Sequence, residues 1–345
     1  MHVTFAAVAF ALGLAVGAEV TSVSSETASR VEHVTQVIVD TDAGQDDLMA
    51  IAFLLSSPSV RVEAVCIGTG LAHVPAGAAN ILQLLDLAGR RDVRVYAGRS
   101  TPLAGGRHFP DDWRRSANEL PGVALRATAR QPESQPAAEF LAARLSDRHR
   151  PVEVLALGGL TNLAEAFAIN PAAAKAVRRI VMMGGALHVP GNLGDGGITS
   201  NTTAEWNFYV DPEATRRVFT SGAPIRVIPL DATRHVRIDR AFVEAVDSIE
   251  GSGLAKVVGQ VLATVRKWID EGIYYAWDPL AAAALVDPSV VQFKRLAVEI
   301  RVEPPEDGRM ILVLGARPNA EIALDADAAR FRQLFLRTLG RAVGP

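Results

Sequence analysis

Beyond residue 35 the chain alternates short β-branched runs with longer helical patterns, and this alternation constrains its fold more than any other feature. Residues 37–39 precede a helical pattern at 48–55, residues 60–67 precede one at 76–88, and a further strand candidate follows at 93–96. The pattern resumes with 152–157 before 162–168, then strand candidates at 180–182 and 225–230 with a helix over 212–220 between them. Continuously apolar strands that alternate with helices bury both faces in a parallel sheet covered on each side. The expected fold is therefore α/β: an open, mostly parallel, doubly wound, Rossmann-like sheet flanked by helices. Residues 295–302 and 310–314 flank a Pro-Pro-Glu-Asp-Gly turn and read as a C-terminal β-hairpin, and residues 325–339 close the chain as a helix. Residues 100–135 and 187–204 fit neither pattern, and irregular segments of that length in a compact domain commonly serve as lids or binding loops.

Length divided by ~150 residues gives a first expectation of about two domains, but α/β folds run past that size as one unit, and residues 36–340 read as a single large domain. With 35 Lys+Arg against 38 Asp+Glu the formal net charge is −3. No basic stretch is present to neutralise phosphates, so nucleic acid is not an expected partner. The lone Cys66 excludes an internal disulfide and a Cys-based metal site. Residues 1–18 carry no charge, hold an apolar core at 5–17 and end in small residues, which reads as a signal peptide followed by a polar spacer at 19–35. Export to the periplasm or the extracellular space is expected, with an uncleaved membrane anchor or a cytoplasmic chain as alternatives because no Lys or Arg opens the segment. No stable membrane span is expected in the mature chain.

In an open parallel sheet, ligands bind beyond the carboxyl ends of the strands. The first strand ends in Asp40-Thr-Asp42-Ala-Gly44-Gln-Asp46-Asp47, four carboxylates within eight residues. Asp40 and Asp42, two apart on an extended chain, point the same way. Asp46 and Asp47 fall at the next helix's amino terminus, where one Asp is an ordinary cap. Four together repel one another unless a cation sits among them, and hard oxygen donors select calcium or magnesium. The spacing is not that of an EF-hand, since Gln45 stands at the sixth position and Ile51 at the twelfth. The absence of G-x-G-x-x-G, Walker A and G-x-S-x-G motifs argues against dinucleotide, nucleoside-triphosphate and serine-hydrolase chemistry. A haloacid-type phosphatase would need a G-D-x-x-x-D-like motif, and Gly194-Asp195 is followed at 199 by Thr.

At these residues the sequence resembles the nucleoside hydrolases, the inosine-uridine preferring family in the broad sense. The resemblance starts at Val39-Asp-Thr-Asp-Ala-Gly-Gln-Asp-Asp-Leu-Met-Ala-Ile51, with Ala43 where Pro is commoner. It continues through Leu157-Gly-Gly-Leu-Thr-Asn162, Met183-Gly-Gly185, Ala204-Glu-Trp-Asn207, Asp211-Pro-Glu213 and Trp277-Asp-Pro279. It implies one calcium ion per subunit, held by Asp42, Asp47, the backbone carbonyl of Leu157 and Asp278, with Asp42 also the general base toward a water. It further implies ribose binding by Asp46, Met183, Asn192, Glu205 and Asn207, a loop-ordering role for Asp40, and a homo-oligomer. The chemistry agrees: N-glycosidic cleavage develops an oxocarbenium-like sugar that needs a positioned water and anionic surroundings.

Many members place His before the last calcium aspartate, whereas Trp277 stands there in this chain. In that respect, and in His108-Phe-Pro-Asp-Asp-Trp113-Arg114, the sequence is similar to the purine-preferring inosine-adenosine-guanosine subgroup, where aromatic rings sandwich the base. Trp277 and Trp113 are the expected stacking rings, with Trp206 and Tyr274 as lesser candidates. His108, His188 and His235 are alternative acids for the leaving base. Gly68-Thr69-Gly70 departs from relatives that carry Asn or Asp after this strand. Asn201-Thr202-Thr203 is formally a glycosylation sequon, but its place between substrate segments argues against modification. The expected activity is calcium-dependent hydrolysis of purine ribonucleosides to free base and ribose, for nucleoside salvage. The alternatives are a broad or pyrimidine-preferring ribonucleoside hydrolase, and a non-catalytic calcium-dependent nucleoside or sugar receptor.

Overall fold

The computed structural model of the chain describes residues 1, 2, 4 and 34–341, without residue 198 and the side chains of 195 and 196. The expected signal peptide and nearly all of the polar spacer lie outside the described residues. The described residues from 34 onward pack as one unit. Among the described residues ten strands run through it: β1 Thr35–Thr41, β2 Val60–Ile67, β3 Arg94–Ala97, β4 Glu153–Ala156, β5 Arg179–Met183, β6 Ile225–Ile228, β7 Val291–Leu296, β8 Val298–Ile300, β9 Met310–Leu312 and β10 Ala320–Ala326. The helices of the first half are α1 Gln45–Leu55, α2 Val74–Leu87, α3 Asp111–Glu119, α4 Ala137–Leu145, α5 Thr161–Ile169 and α6 Pro171–Ala176. Those of the second half are α7 Trp206–Val210, α8 Pro212–Thr220, α9 Leu230–Thr233, α10 Arg240–Asp247, α11 Gly253–Thr264, α12 Arg266–Asp270, α13 Trp277–Val286 and α14 Ala328–Leu339.

Eight strands form one sheet in the order β3-β2-β1-β4-β5-β6-β10-β7, and β8 and β9 form a separate antiparallel pair. Every pairing in the large sheet is parallel except β10 with β7. Side chains along β1 alternate between the two cores: Val37 and Val39 pack on one face and Ile38 on the other. The same alternation runs through Val154, Leu155 and Ala156, so helices cover both faces, as the apolar strands required. Strand order reverses between β1 and β4, which makes the crevice beyond their carboxyl ends the topological switch point.

The element boundaries depart from those expected mainly at the carboxyl end. The expected hairpin is β8 with β9, whereas residues 291–296 form an edge strand of the large sheet. Strand β10, unexpected from its Ala- and acid-rich sequence, inserts between β6 and β7, where two flanking partners outweigh weak β propensity. The closing helix begins at Ala328, capped by Asp327, not at 325. Within the expected loop at 100–135 lies α3, whose one buried residue, Ala117, leaves almost no apolar periodicity to read. Among the described residues no helix is long and apolar enough to cross a membrane.

Candidate active site

Two buried helices deliver the acid cluster. α1 leaves β1 after a three-residue turn, and α13, apolar on all sides, packs against it. Asp46 and Asp47 occupy the first turn of α1, and Asp278 the first turn of α13, where free N–H groups and the helix dipole favour negative charge. Carboxylate oxygens of Asp46, Asp47 and Asp278 lie within 4.8 Å of one another. Asp47 sits at the centre, within hydrogen-bonding reach of both Asp42 and Asp278. It also accepts from the Gly44 amide (3.0 Å) and from the Thr41 hydroxyl, while Asp42 Oδ2 accepts from the Leu71 amide (2.8 Å).

Burial first, and mutual repulsion second, push Asp42 and Asp278 well above the usual carboxylate range. Burial followed by the charge of Asp47 raises Asp46 to about 7. Burial also raises Asp47, against the opposing hydrogen bonds. Water-excluded like charges of this kind ionise together only with a cation among them, so this donor set fits a hard divalent ion. The Leu157 carbonyl accepts one hydrogen bond, from Asn207 Nδ2 (3.0 Å), and retains a lone pair for such an ion. Gly158 lets β4 approach: a Cβ there would lie 2.9 Å from that of Asp42.

The remaining expected residues are placed as follows. Asp40 accepts from Asn162 Nδ2 (2.8 Å) behind the cluster, and burial raises its pKa to about 7. Asn207 Nδ2 also donates to the Met183 carbonyl (3.2 Å), so one amide joins the ends of β4 and β5. Glu205 accepts from the Gly185 (2.8 Å), Asn207 (3.0 Å) and Phe208 (3.4 Å) amides, and burial outweighs these bonds to bring its pKa to about 7. Asn192 Oδ1 caps the Trp206 amide (3.2 Å), which assigns this residue more than a turn.

Trp113 and Trp277 belong to one aromatic wall. Trp113 meets the edge of Trp268 (centroids 5.3 Å apart), Trp268 stacks on Tyr274 (6.4 Å), and Tyr274 meets the edge of Trp277 (5.0 Å). On its other side Trp113 meets the edge of Trp206, which stacks on Phe109 (4.7 Å). The three histidines stand apart: among the described residues none hydrogen-bonds to Asp42, Asp46, Asp47 or Asp278. His108 Nδ1 donates to the Phe109 carbonyl, the His188 amide donates to Asp231, and His235 faces Asp325 at 3.8 Å. The sequon residue Asn201 is 4% exposed with its amide engaged, so the folded chain offers no glycosylation acceptor there.

Several contributors have little sequence signature. Thr41 braces Asp47 and also accepts from the Ala43 amide (3.0 Å). Gln45 reaches Ser116 (3.0 Å) and so ties the acidic loop to α3, which carries Trp113. Trp268 lies in an aromatic-rich stretch, where only its spacing from Tyr274 hints at a shared face. Gly70 has no room for a side chain, since a Cβ would fall 2.0 Å from Asp42 Oδ2. The Asn or Asp common after this strand is thus replaced at Thr69, whose hydroxyl donates to the Ser100 carbonyl (3.3 Å), and by backbone at Gly70. Ala43 adopts φ 57°, which a proline ring fixed near −65° cannot, so the departure from the commoner Pro accompanies a different turn.

The model of the family described as inosine-uridine preferring nucleoside hydrolase matches residues 37–333. Uridine nucleosidase 1 of Arabidopsis thaliana is 33% identical over 272 residues, 78% of this chain and 79% of that protein. The pyrimidine-specific ribonucleoside hydrolase RihA of Salmonella schwarzengrund is 30% identical over 314 residues, 88% of this chain and 97% of that protein. Among solved structures, a purine-preferring ribonucleoside hydrolase from Gardnerella vaginalis is similar with a TM-score of 0.78 and 26% identity, over 89% of this chain and 98% of that one. The acid-lined crevice lies where such a sheet binds its ligand, the likeness runs from β1 into α14, and the chain accordingly belongs to the inosine-uridine preferring nucleoside hydrolase family.

Proposed function

We propose that the protein is a calcium-dependent N-glycosyl hydrolase that splits purine ribonucleosides into free base and ribose. The observation that carries this reading is the meeting of Asp42, Asp47 and Asp278 at the switch point, with Gly158 packed on Asp42 and Asn207 joining the neighbouring Leu157 and Met183 carbonyls. When bound, calcium supplies the positive charge that lets these carboxylates ionise together, orients the ribose hydroxyls and polarises the attacking water. Asp42, fixed through one oxygen by the Leu71 amide, takes the proton from that water. Asp46 and Glu205, with Asn207, Asn192 and Met183, bind the ribose, and the surrounding carboxylates stabilise the sugar as positive charge develops on it. Asp40 holds the loop in place through Asn162.

The departing base lies against Trp277 and Trp113, whose stacking favours protonation of the purine as it leaves. Base-aromatic stacking is worth about 1–3 kcal/mol per base, enough for a ~10–10³-fold effect. A pyrimidine preference is the second reading, supported by the likeness to enzymes named for uridine and pyrimidine ribonucleosides. The apolar run at 5–17 supports an exported enzyme, and the resemblance of the sequence supports a homo-oligomer, which light scattering tests. Release of ribose from inosine, guanosine, adenosine and uridine, each with and without a calcium chelator, tests activity, base choice and metal together. Turnover of inosine well above uridine, abolished by chelation, is expected; faster uridine turnover selects the second reading. Saturable nucleoside binding without ribose release would replace both with the receptor.

A further inference from the structure

The turn between β8 and β9 reaches back to two segments that border the proposed ribose and base sites. Asp307 Oδ2 accepts from Arg107 Nε at 2.5 Å, and the Arg107 guanidinium lies over the Tyr209 ring, 5.8 Å from its centroid. The backbone carbonyl of Asp307 accepts from Asn201 Nδ2 (2.9 Å), and its Oδ1 lies 3.4 Å from the same nitrogen. Asn201 in turn accepts from the Thr203 (2.9 Å) and Ala204 (3.2 Å) amides. Ala204 closes the segment on itself: its carbonyl accepts from the Asn192 amide (3.2 Å), and Gly191 is so close that a Cβ would meet that carbonyl at 1.9 Å. Beside Arg107, Phe109 stacks on Trp206. Gly308, at φ +85°, rests on Tyr209, where a Cβ would lie 2.7 Å from its Cα. The Asp307 side chain is 7% exposed and that of Arg107 20%, so this ion pair is sheltered from solvent.

We propose that Asp307 is a positioning residue: a clasp from the C-terminal hairpin that holds the Arg107–Phe109 and Asn201–Glu205 stretches in one register and thereby sets nucleoside affinity without touching substrate. The inference rests on the nucleoside hydrolase reading for its consequence, but not for its geometry. The carboxylates that fit calcium, Asp42, Asp47 and Asp278, stand in the turn after β1, on α1 and on α13, outside both clasped stretches. Loss of the clasp therefore leaves the proposed base and calcium donors in place, while binding must first order two loops, a cost that appears in KM.

The test compares Asp307→Ala, Asp307→Asn and Arg107→Ala with the full-length parent by amide hydrogen exchange, steady-state kinetics on inosine and calcium titration. Exchange at residues 103–109 and 199–206 is expected to accelerate about 10-fold or more in Asp307→Ala and Arg107→Ala, with β1 and β4 unchanged. KM is expected to rise about 5-fold or more with kcat and calcium affinity within about 3-fold, and Asp307→Asn, which keeps a side-chain Oδ1 toward Asn201 that Asp307→Ala lacks, falls between parent and Asp307→Ala. Parental exchange and KM in Asp307→Ala overturn the proposal. So does acceleration across the whole sheet with kcat and calcium affinity falling together, which marks a general structural role. Should Asp307→Ala fail to fold, Arg107→Ala decides by the same readings. Should the parent release no ribose, the functional reading falls, and the exchange comparison still decides whether the clasp exists.

Discussion

Asp47 and Asp278 open two different buried helices and meet carboxyl to carboxyl, an encounter that costs free energy in the absence of a cation. That relationship links stability, pH and calcium. Asp46 and Glu205 have pKa values raised to about 7 from 3.8 and 4.5, so the folded metal-free chain binds more protons than the unfolded one between about pH 4 and 7. Their contribution to stability is present below the unfolded pKa and is lost as pH rises through the folded value. Chelator-treated protein is therefore expected to melt at a higher temperature at pH 5 than at pH 8. Calcium should raise Tm more at pH 8 than at pH 5, because the ion binds the ionised carboxylates and displaces their protons. Differential scanning calorimetry at both pH values, with and without calcium, checks the sign.

Replacement of Asp42 by Asn keeps the shape of the side chain and removes its ability to accept a proton. A fall in kcat of about 10²–10⁴-fold is expected, the range for loss of a general base. Because Asp42 also belongs to the donor set, circular dichroism and kcat at saturating calcium must be read together. Near-parental turnover in a calcium-loaded variant would remove Asp42 as the base.

Trp277→Ala removes the ring at the start of α13. Turnover of inosine is expected to fall about 10–10³-fold, and that of a ribosyl substrate with an activated phenolic leaving group far less, since such a group leaves without help from stacking. Equal losses on both substrates would show that Trp277 supports the wall and not the departing base.

Gly70→Ala tests the close approach to the acid cluster. The added Cβ would lie 2.0 Å from Asp42 Oδ2, so the carboxylate or the loop must move. Misplacement of a catalytic group by about 1 Å commonly costs ~10²-fold in rate, and a loss of that order is expected here. Gly106→Ala, with open space around its Cβ, is the matched control measured in the same assay.

What the sequence disclosed follows from which interactions leave a pattern in it. Alternating apolar runs disclosed β1 to β6 because burial on both faces demands them, and Asp40, Asp42, Asp46 and Asp47 stood out because carboxylates rarely crowd the end of an apolar strand. Asp278, a lone carboxylate after Trp277, carried no such signal and was reached through the resemblance alone. The Leu157 carbonyl is a backbone group, invisible to composition, and the supports from Thr41, Gln45 and Asn207 depend on contacts made only in three dimensions. Strand β10 and helix α3 escaped because tertiary neighbours, not local propensity, hold them.

Ribose release from inosine by metal-stripped enzyme, followed as calcium is titrated back, addresses the central claim most directly. The expected result is background turnover in the stripped protein and a saturable rise that plateaus near one calcium per chain. Full turnover by protein shown to hold no metal, unchanged on addition of calcium, would contradict it.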